Sequence, residues 1–306
     1  MKPSLPARLA LMLLGVTLAL LLAEGAARLV PMPQSFAWRM AAFRDAVLQP
    51  DAALGWQARP DSTVTIGGVL YRFDALGCRG AAPANKPTLL VAGDSMALGW
   101  GVAEAETFAG RLATAHPDWQ VRNAGMVGYN LEQSVARVAA LLPVLRPQRV
   151  LLTYFANDAE ARGGEESALA RHSALFRLAR PALLGLGAQL GFGTDVTAYH
   201  AQLHAPGSPG WQRVEAGFGQ LAALCEAAQV ACTVALVPEL QRQPYGLADV
   251  HARLAALARA RGLAVVDLAP AIADVPPHQL WVMPDDAHPN AEAHRRFAQA
   301  LAGVLP

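Results

Sequence analysis

Cysteine is scarce in this chain, and what is missing around it is informative. Only three cysteines occur in 306 residues. None forms a C-x-x-C pair and none clusters with histidine at zinc-ligand spacing, which excludes zinc ribbons and disulfide-built scaffolds. Charge of one sign is lacking too. Lys plus Arg number 25 against 24 Asp plus Glu, a net charge of +1, with no run of like charges. Such a balance creates no field that would gather nucleic acid, so no nucleic-acid partner is expected. The sequence has neither the glycine-rich phosphate loop followed by Lys-Ser/Thr nor the G-x-G-x-x-G dinucleotide fingerprint, and no cofactor is expected. A Gly-x-Ser-x-Gly elbow is absent, which argues against an α/β-hydrolase. No internal repeat, heptad pattern or low-complexity tract is present. Of the three thiols, Cys225 and Cys232 could pair in an oxidising compartment. The plainer reading makes Cys78, Cys225 and Cys232 small buried apolar residues.

Apolar sequence is abundant, and much of it lies at the start. An unbroken run from Leu9 to Ala23 follows Lys2 and Arg8, while Glu24 and Arg28 behind it cancel. Positive charge ahead of the run leaves the N-terminus in the cytoplasm and sends the rest outward. Fifteen residues are short against the ~20 that a span needs. The run reads as an uncleaved signal-anchor over residues 1–30. A signal peptide cleaved among Ala23, Gly25 and Ala27 and a buried core helix are the alternatives. The first two both place the remainder outside the cytoplasm, on the periplasmic face of a bacterial inner membrane.

Residues 31–86 read as a connecting region with a small hairpin at 63–66 and 69–73. From residue 87 a regular alternation begins. Apolar strands are expected at 88–92, 120–123, 149–155, 232–237 and 263–268. Helical patterns fall at 108–115, 131–142, 214–228, 247–261 and 291–301. Buried-type strands alternating with helices imply a parallel sheet covered on both faces. Five of them fit an α/β, flavodoxin-like, doubly wound sheet over residues 87–306. The interval 160–213, with a helical pattern at 168–184, interrupts the alternation after the third strand and reads as a lid or substrate wall.

Chemistry-bearing residues collect at the carboxyl ends of these strands. Gly93-Asp94-Ser95 follows the first strand, where a serine projects from the sheet edge at a helix N-terminus that stabilises negative charge. A helix cap is the bland reading. Near the C-terminus, Asp285-Asp286-Ala287-His288 precedes a helix. A carboxylate folded back on the imidazole Nδ1 would fix the tautomer in which Nε2 accepts a serine proton. Asp285 is preferred over Asp286, on the argument that adjacent side chains diverge and one intervening residue gives poor reach. Asn123-Ala124-Gly125 and Asn157-Asp158 follow the second and third strands. Gly125 would lend a backbone N–H and Asn157 an uncharged side-chain N–H to the same space. His294 reads as a helix-surface residue. It shares no third ligand with His288, so no metal is expected. Trp100, Tyr129 and Tyr154 are candidates either for the pocket or for the core.

Taken in chain order, these four blocks resemble the SGNH/GDSL hydrolases, over about residues 88–302. The resemblance implies that fold and a serine-nucleophile esterase. By position it makes Ser95 the nucleophile, Ser95, Gly125 and Asn157 the oxyanion donors, and Asp285 and His288 the acid and base. Leu54-Gly55-Trp56, Gly77-Cys78-Arg79-Gly80 and Gly99-Trp100-Gly101-Val102 resemble membrane-anchored bacterial members. Two positions depart from the family: Phe155 stands where a glycine is common, and Met-Ala follows Ser95. The implied substrate is an acylated small molecule, lipid or polysaccharide. The alternative activity is O-acyl or O-acetyl transfer to an exported polysaccharide or glycolipid. A non-enzymatic tethered binding module is the third possibility.

Overall fold

A computed structural model describes residues 4–29, 35–80, 85–162, 173–176, 178–179 and 195–304. About half of the interval expected as a lid, residues 163–172, 177 and 180–194, lies outside these residues, and with it much of the helical pattern at 168–184. The chain divides into two compact units, Met1–Trp38 with Gly164–Thr194, and Arg39–Gly163 with Asp195–Pro306.

The first unit holds helix α1, Leu5–Leu29. Its apolar side chains are exposed along the length, Leu13 and Leu22 among them. With a mean hydropathy of 2.1 over its most apolar stretch, it is long and apolar enough to cross a membrane. Near its end, the Glu24 carboxylate accepts hydrogen bonds from the Ser173 hydroxyl (2.8 Å) and the Ala174 N–H (2.9 Å).

Helix α2, Phe36–Val47, enters the second unit at Arg39. Two antiparallel hairpins follow, β1 (Leu48–Asp51) with β2 (Gly55–Ala58), and β3 (Thr63–Ile66) with β4 (Val69–Arg72). The expected hairpin is β3–β4; β1–β2 is additional. The parallel sheet then forms from β5 (Thr88–Ala92), β6 (Gln120–Asn123), β7 (Arg149–Tyr154), β8 (Ala231–Leu236) and β9 (Ala264–Asp267), in the spatial order β6-β5-β7-β8-β9. This is the flavodoxin-like order anticipated above.

Period-two alternation builds a core on each face. Leu89, Val91 and Leu151 point to one side, against Phe108, Leu112 and Phe297. Leu90, Ala92, Val150 and Leu152 point to the other, against Val135, Val138, Phe218 and Leu254. The covering helices are α3 (Ser95–Leu98), α4 (Phe108–Ala115), α5 (Leu131–Leu145), α6 (Val196–Leu203), α7 (Pro209–Ala228), α8 (Ala248–Ala260) and α9 (Ala291–Ala300). Each fully buried leucine removes enough apolar area from water to contribute roughly 1.5–3 kcal/mol, which explains why β5 carries no polar residue between Thr88 and its carboxyl end.

Two local signals were stronger than the periodicity suggested. Asn130 and Gln133 form a reciprocal capping box at the start of α5, which fixes where that helix begins. Ser208 caps α7 with Pro209 in its first turn, so the helix starts inside a stretch that composition alone marks as loop. Cys225 and Cys232 are joined by a disulfide between the end of α7 and β8. They pair rather than serving as isolated apolar residues; Cys78 remains a buried free thiol.

A last antiparallel pair, β10 (Trp281–Met283) and β11 (Asp286–Pro289), carries the chain into α9.

Candidate active site

The turn after β5 sets the first side chain. Gly93 adopts φ +147°, and a Cβ there would lie 2.0 Å from Thr153 Oγ1 on β7. Only glycine lets the strand turn this close to its neighbour. Asp94 then caps α3, its Oδ1 accepting the Met96 N–H at 2.8 Å, and Ser95 becomes the first residue of that helix. An isolated four-residue helix would not persist. Here Arg79 holds its far end, donating to the carbonyls of Leu98 (2.7 Å), Gly99 (2.8 Å) and Val102 (2.6 Å). The Gly101 N–H donates to Tyr71 Oη at 2.7 Å. The upstream motif around Arg79 is thus a clamp on the turn that carries Ser95.

The structure brings Ser95 and His288 together. Ser95 Oγ lies 2.9 Å from His288 Nε2 and 3.4 Å from Asp94 Oδ2. His288 Nδ1 donates to Asp286 Oδ1 at 2.5 Å, so the partner of the imidazole is Asp286 and not Asp285. The reason is backbone geometry. Asp286 and His288 are i and i+2 on β11, and such residues share one face of a strand. A single intervening residue therefore gives good reach, contrary to the argument from sequence. Met283 pairs with Asp286 across the hairpin, which leaves Pro284 and Asp285 as its exposed tip. Asp286 is 3 % exposed. Burial pushes its carboxyl upward, but the hydrogen bonds from His288 and Trp100 outweigh burial and hold it below the ordinary carboxylate value.

The two further candidates behave differently from one another. Gly125 does not offer its amide to the site, because its N–H donates to Asn123 Oδ1 at 3.0 Å, an Asx-turn. Its lack of a side chain serves packing: a Cβ would sit 2.4 Å from the Leu98 N. The exposed glycine of the same loop is Gly128, at φ +73°. Trp56 Nε1 donates to Val127 O at 3.1 Å and Tyr129 Oη to Trp56 O at 2.7 Å, so the β1–β2 hairpin pins this loop. Asn157 lies in a single 3-10 turn after β7, half-buried, with its Oδ1 the inward end of the amide. Asn157 and the 125–128 loop therefore follow β7 and β6, the two strands that flank β5 and its serine.

The profile of the GDSL-like lipase/acylhydrolase family matches residues 91–296. The chain belongs to that family. It is an ester-hydrolysing serine hydrolase. No curated protein sequence matches it significantly. Among solved structures, it is similar to TesA, with a TM-score of 0.46 and 17% identity over 71% of this chain and 97% of that one. LAE5, an alpha/beta hydrolase enzyme from the metagenome of Lake Arreo, gives 0.47 and 17% over 73% and 96%. Axe2, an acetylxylan esterase from Geobacillus stearothermophilus, gives 0.46 and 13% over 73% and 95%.

Beneath the serine this GDSL hydrolase buries two carboxyls. Burial pushes Asp94 up to about 6, against the pull of the Met96 N–H and His288. Burial first, then repulsion from Asp94, raises Asp158 well above the ordinary range, although its Oδ2 accepts the Phe155 N–H at 2.9 Å. His294 is not on the helix surface. It is 1 % exposed, stacks on Phe108 at 5.7 Å between ring centroids and accepts that residue's N–H at 3.2 Å. Burial, then the charge of Arg79, pushes it down to about 3, which keeps it neutral. Trp100, Tyr129 and Tyr154 are all core residues with hydrogen-bonded tips. Among the described residues no His/Cys/Asp/Glu group could hold a metal ion.

Sequence reasoning weighed Asp286 as the imidazole's partner but preferred Asp285, and it missed Arg39 altogether. Arg39 Nη2 donates to Asp286 Oδ2 at 2.5 Å, and Trp100 Nε1 donates to the same oxygen at 2.9 Å. The only signal for the first was the i, i+2 spacing; for Arg39 there was none.

Proposed function

We propose that this GDSL hydrolase cleaves carboxylic esters through an acyl-enzyme on Ser95, with His288 as base and Asp286 as its orienting carboxylate. The hydrogen-bonded chain Ser95 Oγ–His288 Nε2 and His288 Nδ1–Asp286 Oδ1, at 2.9 and 2.5 Å, carries this reading. His288 takes the hydroxyl proton as Oγ attacks the ester carbonyl, then returns it to the departing alcohol. Water adds to the acyl-enzyme by the same route in reverse. The oxyanion is stabilised by the Ser95 N–H at the start of α3 and by the Asn157 amide. We assign the third donor to the N–H of Gly128, since the amide of Gly125 is already engaged.

The reading extends to place. Helix α1 anchors the chain in a bacterial inner membrane with the hydrolase outside the cytoplasm. The positive charge ahead of the helix supports that orientation. The Cys225–Cys232 disulfide supports an oxidising compartment.

The test is active-site labelling. The full-length protein, in detergent, is treated with a fluorophosphonate and the adduct located by mass spectrometry. The expected result is one adduct on Ser95, lost in Ser95→Ala, together with loss of aryl-ester turnover. Turnover surviving in Ser95→Ala would overturn the proposal.

A further inference from the structure

The proposed mechanism uses one oxygen of Asp286, and the other oxygen is shared by Trp100 and by a cation from outside the region that matches the family. Arg39, on α2, lies far upstream of residue 91, where that match begins. It is 4 % exposed and ion-paired to Asp286 Oδ2. Its surroundings are buried and aromatic. The guanidinium lies 5.8 Å from the Trp100 ring centroid. Phe43, one turn further along α2, packs edge-on against Trp100 at 5.4 Å and Tyr71 at 5.1 Å. An arginine here has given up its water, and Asp286 is the anion that compensates it. The converse also holds. Arg39 is the cation ion-paired to the buried carboxylate.

We infer that Arg39 is a positioning residue of the hydrolase: its guanidinium fixes the Asp286 carboxylate so that Oδ1 is left for His288 Nδ1, and its charge offsets the carboxylate's field at the imidazole. The inference rests on the proposed triad. An unopposed buried carboxylate 2.5 Å from Nδ1 would act on the imidazole with its full negative charge. A neighbouring cation offsets that field. Other titratable or charged groups around the pair are Asp94 and Asp158 below Ser95, Tyr71 on β4, His294 on α9, Arg79 and Arg111, and the exposed Asp285. All remain in place when Arg39 alone is changed.

The test compares Arg39→Met, Arg39→Lys and Ser95→Ala as full-length proteins. Rates are expressed per site titrated with fluorophosphonate, across the range in which imidazole titrates. For Arg39→Met, kcat falls about 10²-fold with little change in KM. The acid limb of kcat/KM moves up by about one pH unit. Arg39→Lys keeps the charge but not the planar fork, so the limb stays in place while kcat drops about tenfold. A purely structural arginine would reduce the number of titratable sites and leave rate and pH profile per site unchanged, and that result overturns the inference. If Arg39→Met fails to accumulate, an unaltered kcat per site in Arg39→Lys overturns it equally. Turnover persisting in Ser95→Ala would sink the triad itself. A dead Ser95→Ala beside a wild-type profile in Arg39→Met removes only the role given to Arg39.

Discussion

Replacing Asp286 by asparagine separates the geometry seen here from the one the sequence suggests. Asp286 binds four donors: His288 Nδ1 and, at 3.3 Å, the His288 backbone N–H on Oδ1, and Arg39 and Trp100 on Oδ2. Asparagine preserves the shape but presents either N–H or C=O to the imidazole. With Arg39 and Trp100 both demanding an acceptor at one end, the amide NH₂ is forced towards His288. The ring must then carry its proton on Nε2, the nitrogen that should accept from Ser95. The analogous tautomer error in a serine protease costs about 10⁴ in kcat, and a loss of roughly 10³–10⁴ is expected here. Stability falls as well, because Arg39 loses its counter-charge in a buried site. Breaking such a pair costs about 3–5 kcal/mol, which corresponds to a Tm decrease of roughly 10 °C. Asp285→Asn, at the exposed tip of the β10–β11 hairpin, should leave stability within about 0.5 kcal/mol and turnover near wild type. The assay is saturating aryl-acetate hydrolysis normalised to fluorophosphonate-titrated sites, with circular dichroism for Tm. If Asp285→Asn is the crippled variant, or Asp286→Asn keeps more than about a tenth of wild-type kcat, the reasoning is wrong.

Three other outcomes follow from the same physics. Asn157→Ala should lower kcat by about 10²–10³ with little effect on KM, since its amide acts on charge that appears only in the transition state; steady-state kinetics read this directly, and a pure KM effect would contradict it. Asp94→Asn keeps an acceptor for the Met96 N–H but removes a carboxyl whose folded value of about 6 exceeds its ordinary 3.8. The unfolded chain loses that proton first, so wild-type stability declines as pH rises from 3.8 to about 6. The variant should therefore gain up to about 3 kcal/mol above that window and nothing below it; a gain independent of pH in urea denaturation would refute the assignment. Cys225→Ser opens a loop with a sequence separation of 7, for which chain entropy predicts a loss of about 2.5 kcal/mol. Thermal melts with and without reductant check it, with the variant insensitive to reductant.

The sheet was legible because its strands are buried on both faces. Thr88–Ala92 and Gln120–Asn123 fall where apolar runs place them, and α4 spans the expected residues. Helix ends were less legible where side-chain caps decide them. α5 runs through Pro143 to Leu145, and α7 begins at Pro209 because Ser208 caps it. Of the site, Ser95 and His288 could be read from motif order, since the fold brings all strand carboxyl ends to one edge. Asp286 could not, because choosing between adjacent carboxylates requires knowing that residues 286–289 form a strand. Gly125 misled for a related reason. A loop with two glycines gives no sign of which one packs beneath Leu98 and which one is exposed. His294 looked exposed because helical periodicity locates a face without saying what covers it. Arg39 lies outside every motif and is joined to its partner only by the folded chain.

The grip of Arg79 on three consecutive-turn carbonyls has a consequence for how such an enzyme can diversify. A nucleophile seated on a single helical turn, fastened at one end by Asp94 and at the other by a buried guanidinium, cannot be retuned by shifting its own backbone without undoing both anchors. New acyl groups or alcohols would have to be accommodated by reshaping the surrounding walls. The chemistry is the fixed part of this molecule, and selectivity is the part left open to change.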